Sequence, residues 1–326
     1  MIPESSIVLA PLAGGPSTPE LVAAVSNAGG LGFLAAGYLR PEVFAEQLAR
    51  TRELSRKPLG VNVFVLEEVA VDEQAVAAYA HELEADAAAR GVRLGEPRFD
   101  DDWLVEKLEV IVRADVAVVS TTFGCLAAAM VERLQSSGTR VWATVTAAEE
   151  ARAAQAAGVD ALIVQGGEAG GHRGAWRDEG EPTPLYELLA SVDVGLPLIA
   201  TGGLGDRDAV RAVLAAGAQA AQIGTAFLLC PEAGTSEPHR RALRAGGETA
   251  FTRAFTGRSA RGIVNRFMID HPDAPAAYPQ VHHLTAPLRA AARAAGDADG
   301  INLWAGVNFA RTRQARAATI VAELRP

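Results

Sequence analysis

One unit recurs along this chain: a short apolar run rich in β-branched residues, a loop, an alanine-rich helical stretch, and a glycine before the next run. Eight runs bounded by Gly or Pro read as strands: Ile7–Ala13, Leu31–Ala36, Leu59–Val65, Val116–Thr121, Arg140–Val145, Val159–Gln165, Pro197–Gly203 and Gln219–Thr225. They are apolar throughout rather than alternating, as strands of a parallel sheet buried on both faces must be. The intervening stretches carry helix signals. Ser17 with Glu20, and Thr146 with Glu149, have capping-box spacing, and the stretch from Asp206 stops at Gly217. Eight strand–helix units in succession specify an α/β fold, a (β/α)8 TIM-type barrel.

A bare barrel takes roughly 250 residues, leaving a surplus of about 75 in a chain of 326. The expected division is a (β/α)8 cofactor-binding barrel over 1–230, a helical substrate-side subdomain over 231–305, and a final helix over 306–326 returning to the barrel. Residues 66–100 add a charged, alanine-rich helix after the third strand. No second core is evident.

Composition narrows the function. A net charge of −9 argues against nucleic acid and anionic membranes, which are bound through clustered Lys and Arg. The opening "MIPESSIVLAPLAGG" lacks a basic n-region, and its apolar run is too short for a signal or a span. Cys125 and Cys230 form no CxxC pair, so neither a disulfide framework nor a metal site is expected, and a cytoplasmic location is the natural reading. The adjacent His282 and His283 have no acidic or cysteine partner at useful spacing and read as packing.

In such barrels, chemistry sits at the C-terminal ends of the strands. That rule selects Asn62 on strand three, "STTFG" after strand four and "QGGEAGGHRG" (Gln165–Gly174) after strand six. It also selects Gly202 and Gly203 after strand seven, and Gln222 to Thr225 after strand eight. Glycine-bearing loops at the last two ends are a common phosphate site, because backbone N–H groups can approach an anion closely. His172 is an acid–base candidate, its ordinary pKa lying near neutrality; the alternative is a structural loop histidine. Lys57 and Lys107 lie at no strand C-terminus, which disfavours a Schiff-base enzyme.

The stretches "APLAGGPSTPELVAAVSNAGGLGFLAAG", "GVNVFV", "QGGEAGGHRG", "TGG" and "QIGTAFL" resemble the nitronate monooxygenase (2-nitropropane dioxygenase) family in order and over residues 6–230. The likeness continues more loosely into "FTGRSARGIVNRF" and "LWAG". The resemblance implies a TIM-type barrel with FMN. It implies FMN contacts from Asn62, Gln165, Gly170, Gly203 and Gln222–Ile223–Gly224–Thr225, with Gly171 and Gly202 beside them. The backbone of Ala10, Pro11, Leu12 and Ala13 is expected near the flavin ring. His172 matches the family's active-site histidine, as base or anion stabiliser. The implied reaction oxidises alkyl nitronates or nitroalkanes of the 2-nitropropane and nitroethane type with O2, giving a carbonyl compound and nitrite without NAD(P)H. A homodimer is compatible with it. The rival is the FMN-dependent enoyl-acyl-carrier-protein reductase branch, which takes hydride from NAD(P)H and shares "EAGGH"; Gln165 favours the nitronate branch. Arg173 could attract an anionic substrate or point to solvent.

Overall fold

The computed structural model describes Pro3 and residues 5–326. Nine strands run through the first two thirds of the chain: β1 (Ile7–Leu9), β2 (Gly32–Ala35), β3 (Leu59–Phe64), β4 (Val118–Thr122), β5 (Arg140–Val145), β6 (Ala161–Gln165), β7 (Gly171–His172), β8 (Leu198–Thr201) and β9 (Ala220–Ile223). All except β7 join one parallel sheet in the order β1-β9-β8-β6-β5-β4-β3-β2. A parallel bridge from Val8 to Leu31 brings its two ends together and makes the eight strands a TIM-type barrel. The observed strands start or stop within a few residues of the expected runs. The first is the most shortened, because Pro11 has no N–H to offer a ladder.

Side chains fill the barrel. Val8, Phe33, Val118, Trp142, Ile163 and Ile199 form the interior cluster, with the Phe33 and Trp142 rings 5.7 Å apart. Gly60 faces the Phe33 ring, where a Cβ would lie 2.5 Å from it. The opposite strand faces pack on the helices through Leu21, Val22, Phe44, Ile111 and Leu134. Burying each such side chain contributes about 1.5–3 kcal/mol.

Two helix starts differ from expectation. Thr18, not Ser17, caps the Pro19–Asn27 helix by accepting the Leu21 N–H at 3.0 Å, while Ser17 Oγ accepts the Leu12 N–H at 2.8 Å. Before the Ala148–Ala156 helix it is Glu150, not Glu149, that reaches back, taking the Thr146 N–H at 2.6 Å. The Asp206 cap is as expected and accepts from Ala209 N–H at 2.8 Å. The last helix covers only Ala317–Leu324, packed on the helices Pro19–Asn27 and Arg207–Ala215.

The late segment is not purely helical. Strands β10 (Thr249–Thr252) and β11 (Ala260–Ile263) form an antiparallel pair, and β11 also pairs with β7, placing His172 opposite Ala260. A second core exists as well, contrary to expectation. Val76, Tyr79 and Leu83 of the 66–100 insertion pack with Phe255, Phe267, Val281 and Leu288 of the late segment. Tyr79 Oη donates to Ala254 O at 2.7 Å, and Gly95 N donates to Leu284 O at 2.9 Å. The cluster is shared between the two segments, so neither stretch of sequence carries it alone.

Candidate active site

A cavity of about 520 Å³ opens at the C-terminal ends of the strands. The residues expected to hold FMN or act in catalysis all line it: His172, Ala10, Pro11, Leu12, Ala13, Asn62, Gln165, Gly170, Gly171, Gly202, Gly203, Gln222, Ile223, Gly224 and Thr225; of "STTFG", Thr122 and Phe123 do. Arg173 does not. Its guanidinium donates to the carbonyls of Glu179 and Gly180, away from the cavity.

The loop carrying His172 is held by Gln165, which closes β6. The Gln165 amide donates to His172 O at 3.1 Å and accepts from Gly174 N at 2.6 Å. The loop glycines have a second purpose beyond an approach to a ligand. A Cβ on Gly170 would lie 2.4 Å from Ala305 C and Gly306 N, so the chain crosses itself there with no room for a side chain. The next residue, Gly171, has φ +77°, a conformation L residues rarely adopt.

The His172 imidazole sits in an aromatic cage. Phe123, Tyr278 and Trp304 have ring centroids 5.7, 5.6 and 5.6 Å from it. Its Nε2 lies 3.0 Å from Thr256 Oγ1, whose hydroxyl in turn reaches Arg258 O at 3.2 Å. Burial, with smaller contributions from the Arg258 and Arg289 charges, pushes the His172 pKa down to about 3. The ring is therefore neutral at physiological pH.

At the other end lie the two glycine loops. Gly202 and Gly203 both have positive φ, +118° and +69°. Residues 306–312 strap these loops together: Asn308 Nδ2 donates to Gly203 O at 2.5 Å, Gly306 N to Thr225 Oγ1 at 3.0 Å, and Thr312 Oγ1 to Thr225 O at 3.3 Å. Arg311 pairs with Asp206 beside them. Between the two ends, the Asn62 amide is spent on Ser120 and Thr122, while the buried Gln222 Oε1 has no partner among the described residues.

Several lining residues were not singled out from the sequence, although Phe123 lies in the "STTFG" strand end and Trp304 in "LWAG". Tyr38 and Phe123 are the two aromatic residues with positive φ in the wall, +68° and +74°. The Tyr38 ring stacks on His282 at 4.3 Å, nearly parallel, and its Oη accepts from Tyr278 Oη at 3.2 Å. His282, read from sequence as packing, lines the cavity together with His239, Arg289, Arg293 and Trp304. A helical stripe 282–289–293 could have been drawn in advance; single loop aromatics could not.

A strand-end cavity with a neutral histidine at one end and glycine loops at the other is the usual active-site arrangement of a (β/α)8-barrel enzyme. A sequence model of the nitronate monooxygenase family matches residues 1–326. A nitronate monooxygenase of Paraburkholderia phytofirmans is 39% identical over 98% of this chain and 91% of its own. The crystal structure of nitroalkane oxidase from Streptomyces ansochromogenes superposes with a TM-score of 0.96 at 48% identity, covering 99% of this chain and 95% of the other. FabK from Thermotoga maritima matches with a TM-score of 0.73 over 99% and 92% of the two chains; at 23% identity it shares the fold. The chain belongs to the nitronate monooxygenase family and is a flavin-dependent oxidoreductase.

Proposed function

We propose that this cavity holds FMN and that the enzyme oxidises small alkyl nitronates, and neutral nitroalkanes after deprotonation, to a carbonyl compound and nitrite with O2 and without NAD(P)H. The observation that carries the reading is the neutral His172 caged at one end of a cavity whose other end is a pair of glycine loops.

The residues fit the cofactor. The N–H groups of Gly203 and Thr225 have no protein partner among the described residues and can receive a phosphate. Gln222 Oε1 is buried without a donor, which suits the N–H edge of a flavin ring. Ala10 to Ala13 and Gly224 offer a wall of backbone and small side chains. When bound, FMN would supply the electron acceptor for the substrate.

The protein's own part is positioning and proton transfer. If the Thr256 hydroxyl donates to Arg258 O, His172 carries its proton on Nε2 and the Nδ1 lone pair is free to take a proton from substrate. A neutral nitroalkane loses its carbon-bound proton to that nitrogen; a preformed nitronate needs no base. The aromatic cage lowers the local polarity around the imidazole and so strengthens charge interactions beside it.

The test is an anaerobic spectrum of the purified protein mixed in turn with ethyl nitronate and with NADH, after the released flavin has been identified. Reduction by the nitronate and none by NADH supports the reading. Bleaching by NADH alone overturns it and places the site with enoyl reduction.

A further inference from the structure

The chain carries 39 acidic and 30 basic side chains, yet the cavity wall contains no Asp, Glu or Lys and three arginines, Arg289, Arg293 and Arg311. Arg311 is neutralised by Asp206 beside the glycine loops. Arg289 is not neutralised. Its Nε donates to Thr285 Oγ1 at 3.1 Å and its Nη2 to His282 O at 2.7 Å, both uncharged acceptors on its own helix, Gln280–Ala294. Its Nη1 has no partner among the described residues. The charged and titratable groups acting on it are Tyr38, Tyr278 and Arg293, none of them a carboxylate. Burial lowers its pKa to about 10, which still leaves it cationic at neutral pH.

Arg289 is half-buried in the cavity wall, and partly desolvating a guanidinium without a counter-charge is costly, so arginines so placed are usually paired within the protein. One that is held rigidly, faces a cavity and lacks a partner is completed by an anion from outside. Its place identifies which anion. Arg289 acts electrostatically on His172, and its helix neighbour His282 stacks on Tyr38, so it belongs to the histidine end and not to the phosphate loops. Arg293, one turn on along the same face, adds to the positive potential.

We propose that Arg289 is the anion anchor of the substrate pocket, binding the nitro oxygens of an ionised substrate and selecting nitronate over neutral nitroalkane. The assignment rests on the nitronate reading above. With a neutral nitroalkane the same group acts later. The C–H bond breaks, its proton goes to His172, its electron pair forms the C=N bond, and the negative charge arrives on the oxygens facing Arg289. The residue therefore contributes to affinity for the nitronate and to rate for the nitroalkane.

Nitrate, a planar oxyanion that cannot be oxidised, is the probe. Titrating it into the holoenzyme should perturb the flavin absorbance. Arg289→Gln should weaken nitrate at least tenfold with unchanged flavin content, and Arg289→Lys should restore part of the loss. In turnover, Arg289→Gln should raise KM for ethyl nitronate at least tenfold, while for nitroethane kcat falls and KM stays within twofold. Equal nitrate affinity and equal nitronate KM in wild type and Arg289→Gln would overturn the proposal; a lower Tm alone would then mark Arg289 as a helix staple. If Arg289→Gln loses flavin, the wild type decides: nitrate that fails to compete with ethyl nitronate overturns the assignment. Arg289-dependent nitrate binding in an enzyme that no nitronate reduces would keep the anion site and discard the nitronate reading.

Discussion

Asp102 Oδ1 accepts the backbone N–H of Tyr38 at 2.9 Å, so a residue of the loop before the Leu104–Val112 helix holds a wall residue of the cavity in its left-handed conformation. The second carboxylate oxygen lies 2.6 Å from Lys107 Nζ, and both side chains are out of water. Burial raises the Asp102 pKa to about 6 against the pull of Lys107, and lowers that of Lys107. Asp102→Asn keeps an acceptor for Tyr38 but leaves a bare buried ammonium. It should destabilise by about 3–5 kcal/mol, and adding Lys107→Met should recover most of that. Urea unfolding of the two single variants and the double measures it; a double variant as unstable as the singles would contradict the pairing.

His172→Ala should keep its flavin, because the cradle for it lies in other loops. Turnover of nitroethane should fall by about 10²–10⁴ and that of ethyl nitronate by much less, since only the first needs a base. Equal losses on both substrates would remove the base assignment.

The pH profile follows from the same group. With a pKa of about 3 in the folded protein, His172 keeps its lone pair through mildly acid conditions. The kcat/KM for nitroethane should show no ionisation near 6.5 that disappears in His172→Asn. Finding one would place the imidazole in water.

Stability should nonetheless fall in acid. His172 and His239 have folded pKa values of about 3 and about 4, below the unfolded value near 6.5. Between these limits the unfolded chain binds more protons, so stability is complete above about 6.5 and is lost progressively as pH falls toward 4. The urea midpoint at pH 5 should lie below that at pH 7.5, and His239→Asn should make the difference smaller. A midpoint independent of pH would contradict the burial.

Gly203→Val forces a branched side chain at φ +69°, with its Cβ 3.0 Å from Glu168 Cβ, and should lower flavin content in the purified protein. Gly170→Ala should act differently, by pushing the Ala305–Gly306 backbone away and carrying Trp304 with it. The first is read by flavin absorbance per protein, the second by Tm.

Much of this architecture was legible because its signals are local. Eight apolar runs cut by Gly and Pro fix the strand set, and barrel geometry then puts the strand-end residues around one mouth. What escaped reading depends on long-range partners. β7 is two residues long and exists only because β11, some ninety positions later, pairs with it. The second core is shared between segments nearly two hundred residues apart. Tyr38, Phe123 and Trp304 occupy loops, where no periodicity marks which face a side chain takes. The cap of the Pro19–Asn27 helix lies one residue from the expected one because adjacent Ser17 and Thr18 both carry capping hydroxyls, and only the tertiary bond to Leu12 N decides between them.

The strap at residues 306–312 has a consequence for how the protein is made. The two glycine loops are translated by residue 225, but the groups that fix them, Gly306, Asn308 and Thr312, leave the ribosome about eighty residues later. On the proposed reading, the cradle is complete only once residues 306–312 have docked, so cofactor uptake should follow synthesis of the last residues and not precede it. A chain ending before residue 306 should hold less flavin than the full chain.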